Sequence, residues 1–280
     1  MTIDKNMRPN SKHSKVTWQR AIPTDSHALI YNDDSKEMKK QTAKLKRKIE
    51  LYGETNKLTI RNQKRGRIDK RLLHRIPMGR MDLFKNTIIK TDNPLDVCIL
   101  VDESGSMGSY TMRAARRAAI SMKEALADNP KLNLWVFGHT ADRGSRGDTE
   151  MTEYWSPSMK DRPMAMGGMR AKYENRDGTA IVASADRVKA QAPNPQNNKL
   201  MVIFSDGDPS ADRYRGKQAY DHTASCVKHV EARGWNVIQV GFAGAREGTM
   251  KHCFKNWIYV SEQEALADKD SKIIRKVIQV

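Results

Sequence analysis

Residues 96–106 read DVCILVDESGS, an apolar run that gives way abruptly to short polar residues. The apolar part, residues 96–101, does not alternate with polar residues, which is typical of a strand buried on both faces of a sheet. Asp102 follows at once, and a loop of serine and glycine leads to a helix predicted at residues 110–127. The stretch therefore predicts a central strand whose carboxyl end carries a functional loop.

The same pattern repeats along the rest of the chain. Apolar strands are predicted at residues 132–137, 153–155, 199–204, 235–241 and 257–260, and helices at residues 180–191, 220–233, 245–254 and from 262 onward. Buried strands separated by helices predict a mainly parallel sheet with helices on both faces, a doubly wound α/β fold. We expect this domain to span residues 95–280.

The first third of the chain has a different composition. Residues 1–34 are polar and lack a sustained period, which predicts a disordered or loosely packed tail. Residues 35–94 predict a basic, partly helical extension whose first helix ends near Gly53. Residues 1–95 hold 23 Lys and Arg against 10 Asp and Glu, and so carry +13 of the net charge of +17. Such a segment attracts an acidic partner, either a protein surface or nucleic acid.

Composition also limits the compartment. No apolar run is long enough to span a membrane, and the N-terminus lacks the apolar core of a signal peptide. The three cysteines, Cys98, Cys226 and Cys253, are an odd number without close spacing. That usage fits a reducing cytosol better than a disulfide framework, so we expect a cytoplasmic protein that does not contact a membrane.

Short oxygen-bearing side chains stand where predicted strands end or a predicted helix begins. The set consists of Asp102, Ser104, Ser106, Thr179 and Asp206. Because parallel strands end at the same edge of a sheet, we expect these side chains to meet there. Hydroxyls and carboxylates without His or Cys suit a hard cation, with Mg²⁺ as the first choice and Mn²⁺ or Ca²⁺ as alternatives.

In this order and spacing, the five residues resemble the metal-ion-dependent adhesion site of von Willebrand factor A (VWA) domains, over residues 95–265. The resemblance implies that the three hydroxyl side chains contact the metal, while the two aspartates lie close to it or act through water. It also implies a coordination position left for an acidic residue of a partner protein. We expect three neighbouring acidic residues to contribute to partner binding, namely Glu103, Asp177 and Asp208.

Two further stretches narrow the resemblance. Residues 173–178 (YENRDG) and 200–209 (LMVIFSDGDP) resemble the A domains of the CobT cobaltochelatase subunit and of NorD-type proteins, and the basic stretch at residues 66–84 is similar to the region preceding those domains. This resemblance implies a non-enzymatic adaptor, with a MoxR/CobS-type AAA+ ATPase and its client protein as partners. A compact member of this kind fits a bacterial or a bacteriophage source.

Catalytic functions fit less well. A haloacid-dehalogenase-like phosphatase needs a second aspartate two residues after the first, where this chain has Ser104. Neither a Walker A loop nor a nucleophile elbow occurs at a predicted strand end. We therefore expect no enzymatic activity of the chain itself.

Two alternatives use other residues. His222, Cys226 and His229 share one helical face and could bind zinc, but we favour packing of that face on the sheet, with Cys226 buried. Nucleic-acid binding through residues 1–90 is the alternative function, with the VWA domain as a scaffold. In that case three aromatic residues would be available for stacking on bases, namely Trp18, Tyr31 and Tyr52.

Overall fold

The computed structural model describes residues 15–50, 56–63, 65, 67–72, 84–90, 94–126, 129–141, 148–159, 162–242 and 244–260. The chain forms two compact units, residues 1–49 with 94–280 and residues 50–93. The helix predicted from residue 262, Tyr52 and the helix end predicted at Gly53 lie outside the described residues.

The described strands and helices follow the chain in a regular order. The strands are β1 (Val16–Arg20), β2 (Asn56–Gln63), β3 (Arg67–Ile68), β4 (Phe84–Lys90), β5 (Leu95–Asp102), β6 (Leu132–Ala141), β7 (Thr149–Trp155), β8 (Asn198–Ser205), β9 (Trp235–Gly241) and β10 (Asn256–Tyr259). The helices are α1 (Asp25–Glu37), α2 (Lys39–Glu50), α3 (Gly108–Leu126), α4 (Asp177–Gln191), α5 (Gly216–Glu231) and α6 (Glu247–Cys253).

Seven strands of the first unit form one sheet, in the order β1-β7-β6-β5-β8-β9-β10. Strands β6, β5, β8, β9 and β10 run parallel to one another. Strand β7 is antiparallel to β6, and β1 is parallel to β7. The arrangement confirms the predicted mainly parallel α/β sheet.

Strand β5 shows how both faces of the sheet are covered. Val97, Ile99 and Val101 belong to one apolar cluster, which also holds the buried face of α3. Cys98 and Leu100 point the other way, into a cluster that includes α4 and α5. A strand whose side chains are buried on both faces cannot alternate apolar and polar residues, which explains the continuous apolar run.

From residue 15, where the described part of the chain begins, the N-terminal segment differs from the tail predicted at residues 1–34. Within it, β1 forms an edge of the sheet, pairing Val16 with Thr149 of β7. Trp18 packs edge-on against Phe137, with 5.0 Å between the ring centroids. Residues 16–20 are therefore part of the main sheet and not a loose tail.

Helix α1 also belongs to the first unit. Its buried side chains are Tyr31 and Asp34, and the Asp34 carboxylate accepts hydrogen bonds from Arg116 and Arg117 of α3 at 2.6 and 2.8 Å. Because this helix packs through an ion pair and one tyrosine, and not through an apolar stripe, the sequence carries little of the 3.6-residue period that predicts a buried helix.

The second unit contains a three-stranded antiparallel sheet in the order β2-β4-β3. Leu58 of β2 pairs with Ile88 of β4, and the register shifts between Ile60 and Gln63. Within the part of the chain that the structure describes, no helix is both long enough and apolar enough to cross a lipid bilayer.

Candidate metal centre

The candidate site lies where the winding of the sheet changes direction. From β5 the chain continues to β6 on one side, whereas β8 and β9 lie on the other side of β5. Val101 pairs with Phe204, so the carboxyl ends of β5 and β8 lie side by side, with Asp102 as the last residue of β5 and Asp206 directly after β8. Such a switch point leaves a crevice in which ligands of α/β proteins bind.

Asp102 is fully buried and held by three donors. Its Oδ1 accepts a hydrogen bond from the backbone N–H of Ser104 at 2.8 Å. Its Oδ2 accepts from Asn175 Nδ2 at 2.7 Å and from Ser205 Oγ at 3.0 Å. These bonds leave the carboxylate one fixed orientation between the two strand ends.

Three other predicted side chains meet beside it. Ser104 Oγ and Ser106 Oγ are 2.9 Å apart, and the Ser106 side chain hydrogen-bonds to Asp206. Asp206 Oδ1 is buried and has no hydrogen-bond donor among the described residues. A buried carboxylate oxygen without a donor is costly unless a cation or an ordered water satisfies it.

The electrostatics of Asp206 agree with this geometry. Burial, and then repulsion from Asp102, raise the pKa of Asp206 to about 6, while its hydrogen bond from Ser106 opposes the rise. A bound cation would counter the repulsion between the two carboxylates and lower this pKa.

Thr179 lies in the first turn of α4 and is 6% exposed. Asp177 at the start of this helix lies close to the two aspartates: burial, and then repulsion from Asp102 and Asp206, raise its pKa well above its usual value. Four of the five predicted residues thus join in one network of contacts around Asp102 and Asp206, and the helix turn that carries the fifth lies next to it.

A buried pair that the sequence analysis did not identify lies beneath the site. His139 is opposite Asp102 in the sheet, and its Nε2 is 3.5 Å from Asp177 Oδ1. Burial lowers the pKa of His139, and burial first, then the neighbouring aspartates, raise the pKa of Asp177. Both shifts favour the uncharged forms. The sequence offered only a weak signal for His139, which lies two residues beyond the strand predicted at residues 132–137 and within the longer observed strand β6.

The sequence analysis also missed Asn175 and Ser205, both of which hold Asp102 in place. Ser205 Oγ further accepts the N–H of Gly207 at 2.9 Å, and Asn175 Oδ1 accepts the N–H of Ser210 at 2.6 Å. Ser205 directly precedes Asp206, and Asn175 lies two residues before Asp177. Which neighbour turns inward depends on the loop conformation, which the spacing does not reveal.

The three predicted partner contacts differ in exposure. Glu103 is 0% exposed and accepts hydrogen bonds from Lys172 Nζ at 2.8 Å and Tyr154 OH at 2.5 Å. Asp177 is also buried, so the structure does not favour either residue as a surface contact. Asp208 has a side chain 38% exposed and alone among the three can reach a partner directly.

Glu103 instead joins two loops of the site. The Glu103 carboxylate binds the Lys172 side chain, and the Glu103 carbonyl accepts a hydrogen bond from the backbone N–H of Lys172 at 2.6 Å. The Gly105 N–H donates to the Tyr173 carbonyl at 2.6 Å. The Asp102–Ser106 loop is thereby held against the segment that leads into α4.

The face of α5 that carries His222 and Cys226 is packed in the interior, as the alternative to zinc binding predicted. Cys226 and Val230 are buried, Cys226 Sγ is 3.5 Å from His222 Nε2, and Tyr214 OH is 2.8 Å from His222 Nδ1. No three His, Cys, Asp or Glu side chains in the described part of the chain converge to hold a metal. A cation between Asp102 and Asp206 would therefore rely on hydroxyl oxygens as well, as Mg²⁺ and Mn²⁺ do more readily than Zn²⁺.

Residues 96–266 match the family model described as von Willebrand factor type A domain. The "Uncharacterized protein YojO" of Bacillus subtilis (strain 168) is 24% identical over 269 residues, covering 91% of this chain and 41% of that protein. The chain thus spans less than half the length of this relative.

A solved pilus adhesin shows the same fold. The pilus adhesin SpaC from Lactobacillus rhamnosus GG superposes with a TM-score of 0.51 at 14% identity, over 68% of this chain and 32% of the adhesin. The manganese-loaded TRAP protein of Plasmodium vivax gives a TM-score of 0.42 at 16% identity, over 62% of this chain and 71% of TRAP.

Proposed function

Because this chain belongs to the von Willebrand factor A domain family, we propose that it binds a divalent cation, Mg²⁺ before Mn²⁺ or Ca²⁺, and uses it to bind a partner protein. Ser104, Ser106 and Thr179 would contact the cation, with Asp102 and Asp206 beside it. The observation that carries the proposal is Asp206 Oδ1, buried next to two serine hydroxyls without a donor among the described residues. When bound, the cation offers a coordination position to a carboxylate of the partner.

Hydrogen bonds within the chain already hold the side chains of the candidate metal site in place. Three donors hold Asp102, so the carboxylate cannot rotate away when the site is empty or filled. The Glu103–Lys172 ion pair keeps the serine loop against the neighbouring segment. A site organised in this way loses little side-chain entropy on binding, which strengthens the interaction with a partner.

We further propose that the chain acts as a cytosolic, non-enzymatic adaptor between a MoxR/CobS-type AAA+ ATPase and its client. The CobT- and NorD-like residues at 173–178 and 200–209 support this role, since both stretches contribute side chains to the candidate metal site. All three cysteines are free and buried, and burial raises the pKa of Cys226 and Cys253 to about 12. Protonated, buried thiols are poor nucleophiles, which supports binding rather than covalent catalysis.

Nucleic-acid binding through the basic residues 1–90 is a second candidate, supported by their charge. Two of the aromatic residues expected to stack on bases have other contacts. Trp18 packs against Phe137, with the Arg187 guanidinium 5.0 Å from its ring, and Tyr31 is buried and hydrogen-bonded to Glu124. Binding through this segment would thus depend mainly on Lys and Arg, and would weaken steeply as salt is added.

The metal site is tested by calorimetric titration with Mn²⁺. Ser106→Ala removes a hydroxyl at the centre of the site, and we expect at least about tenfold weaker Mn²⁺ binding, as for loss of groups that orient metal ligands. Ser109→Ala removes an exposed hydroxyl from the next helix and serves as the control with native affinity. Equal affinities of the native protein and Ser106→Ala would overturn the assignment.

The adaptor role needs a separate measurement. A purified MoxR-type ATPase from the same genome should bind the native chain in Mg²⁺ and release it in EDTA, and should bind Ser106→Ala weakly. Binding that is equal in Mg²⁺ and EDTA would contradict a metal-mediated contact, even if the site itself holds Mn²⁺.

A further inference from the structure

We propose that the partner presents a second carboxylate next to the one at the metal, and that Arg213 binds it. The partner would then be an acidic protein segment with two carboxylates at a defined separation. This inference rests on the proposed function, because the first carboxylate is assigned to the cation.

Arg213 stands at the tip of a rigid hairpin. Ala211 and Tyr214 exchange backbone hydrogen bonds of 2.8 and 3.0 Å across the turn. Tyr214 is 1% exposed, and its hydroxyl is 2.8 Å from His222 Nδ1 and 3.2 Å from Thr223 Oγ1. The buried ring fixes the hairpin to α5, so the tip cannot move freely.

The hairpin is also joined to the metal site. The N–H of Ser210 donates to Asn175 Oδ1 at 2.6 Å, and Asn175 Nδ2 donates to Asp102 Oδ2 at 2.7 Å. On the other side of the turn, Arg176 Nη2 donates to the Asp212 carbonyl at 2.6 Å. One amide therefore contacts both the hairpin and the aspartate of the site, which holds the two at a constant separation.

The backbone of Arg213 indicates that its side chain has a use. Among the described residues other than glycine, only Arg213 has a positive φ, of 53°. Glycine or asparagine adopts this conformation at lower cost, and departures of this kind concentrate at functional positions. The residue is exposed, and no ion pair or hydrogen bond of its side chain occurs within the described parts of the chain.

Neighbouring charges favour a carboxylate over a phosphate backbone. Arg215 is 3.4 Å from Glu174, and Arg246 is 3.7 Å from Asp208. Both acidic side chains are more than a third exposed and would repel every phosphate that a nucleic-acid backbone brings past them, whereas a segment with two carboxylates brings only two negative charges. Arg213 therefore presents a guanidinium without an ion pair among the described residues, and its planar shape matches one carboxylate in two hydrogen bonds.

The test compares labelled Gly-Ser peptides carrying either one Glu or two Glu at varied spacing, by fluorescence anisotropy in Mg²⁺. On the native protein, the best two-Glu peptide should bind about fivefold more tightly than the one-Glu peptide, as for a single exposed ion pair. Arg213→Asn, which tolerates the left-handed backbone, should abolish this gain, and Arg213→Lys should keep part of it. Lys228→Asn removes an exposed charge near the far end of α5 and should leave the gain intact.

The outcomes separate this inference from the proposed function. If Arg213→Asn retains the two-Glu preference while Mn²⁺ still binds, the role of Arg213 is refuted and the metal site stands. If Mn²⁺ fails to bind but the preference still depends on Arg213, the metal proposal fails and the arginine contact stands. If Arg213→Asn weakens a labelled single-stranded oligonucleotide and not the peptides, the ligand is nucleic acid and the assignment to a protein carboxylate is overturned.

Discussion

Replacing Asp34 tests whether α1 stabilises the first unit. This carboxylate is 3% exposed and pairs with Arg116 and Arg117 of α3 at 2.6 and 2.8 Å. Asp34→Ala would leave Arg116 without its carboxylate partner, while Arg117 would keep its ion pair with Glu37 at 2.5 Å. We expect the substitution to destabilise the whole unit, because α1 and α3 lie in it together.

The magnitude follows from the exposure of the three side chains. Removing one partner of a fully buried ion pair costs about 3–5 kcal/mol. The two arginine side chains are 13% and 22% exposed, so water partly compensates them and we expect about 2–3 kcal/mol. For a unit of this size, that loss corresponds to a fall of about 4–12 °C in melting temperature.

Tryptophan fluorescence reports on this unit selectively. All five tryptophans of the chain lie outside residues 50–93, so urea unfolding followed by their emission monitors the first unit without a signal from the second. Asp33→Ala is the matched control, since Asp33 precedes Asp34 in the same helix but is exposed. It should change the free energy of unfolding by less than about 0.5 kcal/mol.

Equal urea midpoints for Asp34→Ala and Asp33→Ala would refute the reasoning. The N-terminal helix would then contribute nothing to the stability of the unit, and the expectation of a loosely packed tail would describe it better than the docked helix does.

Two further predictions concern the site and its support. The pKa of Asp206 is raised to about 6 in the metal-free protein, so the folded state binds this proton more tightly than the unfolded state does. The resulting contribution to the free energy of unfolding is fully present below about pH 4 and is lost as the pH rises through about 6. In EDTA, the urea midpoint of the native protein should therefore fall relative to that of Asp206→Asn across this range, and parallel curves would contradict it. In Gly138→Ala, the added Cβ would lie 2.6 Å from Glu103 Oε2 and 2.8 Å from the Tyr154 ring, so thermal melting should show a loss of about 1–3 kcal/mol. Gly248→Ala meets no atom within 4 Å and should melt like the native protein or slightly above it.

Local patterns in the sequence determined the α/β sheet. The run at residues 96–101 does not alternate because β5 is buried on both faces of the sheet. Such burial can be recognised from the residue types of the strand alone. The same holds for the polar loop after Asp102, since the residue types that suit a hard cation can be recognised without knowing the fold. Family membership of residues 96–266 follows from these features.

The support of the site could not be predicted, because it joins residues distant in the chain. Asn175 and Ser205 contact Asp102 across 73 and 103 positions, and no periodicity records such a contact. Glu103 was expected at the surface because acidic loop residues are usually solvated. Lys172 and Tyr154 instead pair with it in the interior.

The N-terminal segment shows the same division. A helix that packs through an apolar stripe can be predicted from the 3.6-residue period of its apolar residues. Helix α1 is instead held by Asp34, which binds two arginines 82 and 83 positions away. An aspartate looks alike in sequence whether it faces water or a buried guanidinium. Sequence by itself therefore determined the sheet and the chemistry of its loops, while only the tertiary structure decided which charges are buried, because burial of a charge depends on a partner that the fold brings from elsewhere in the chain.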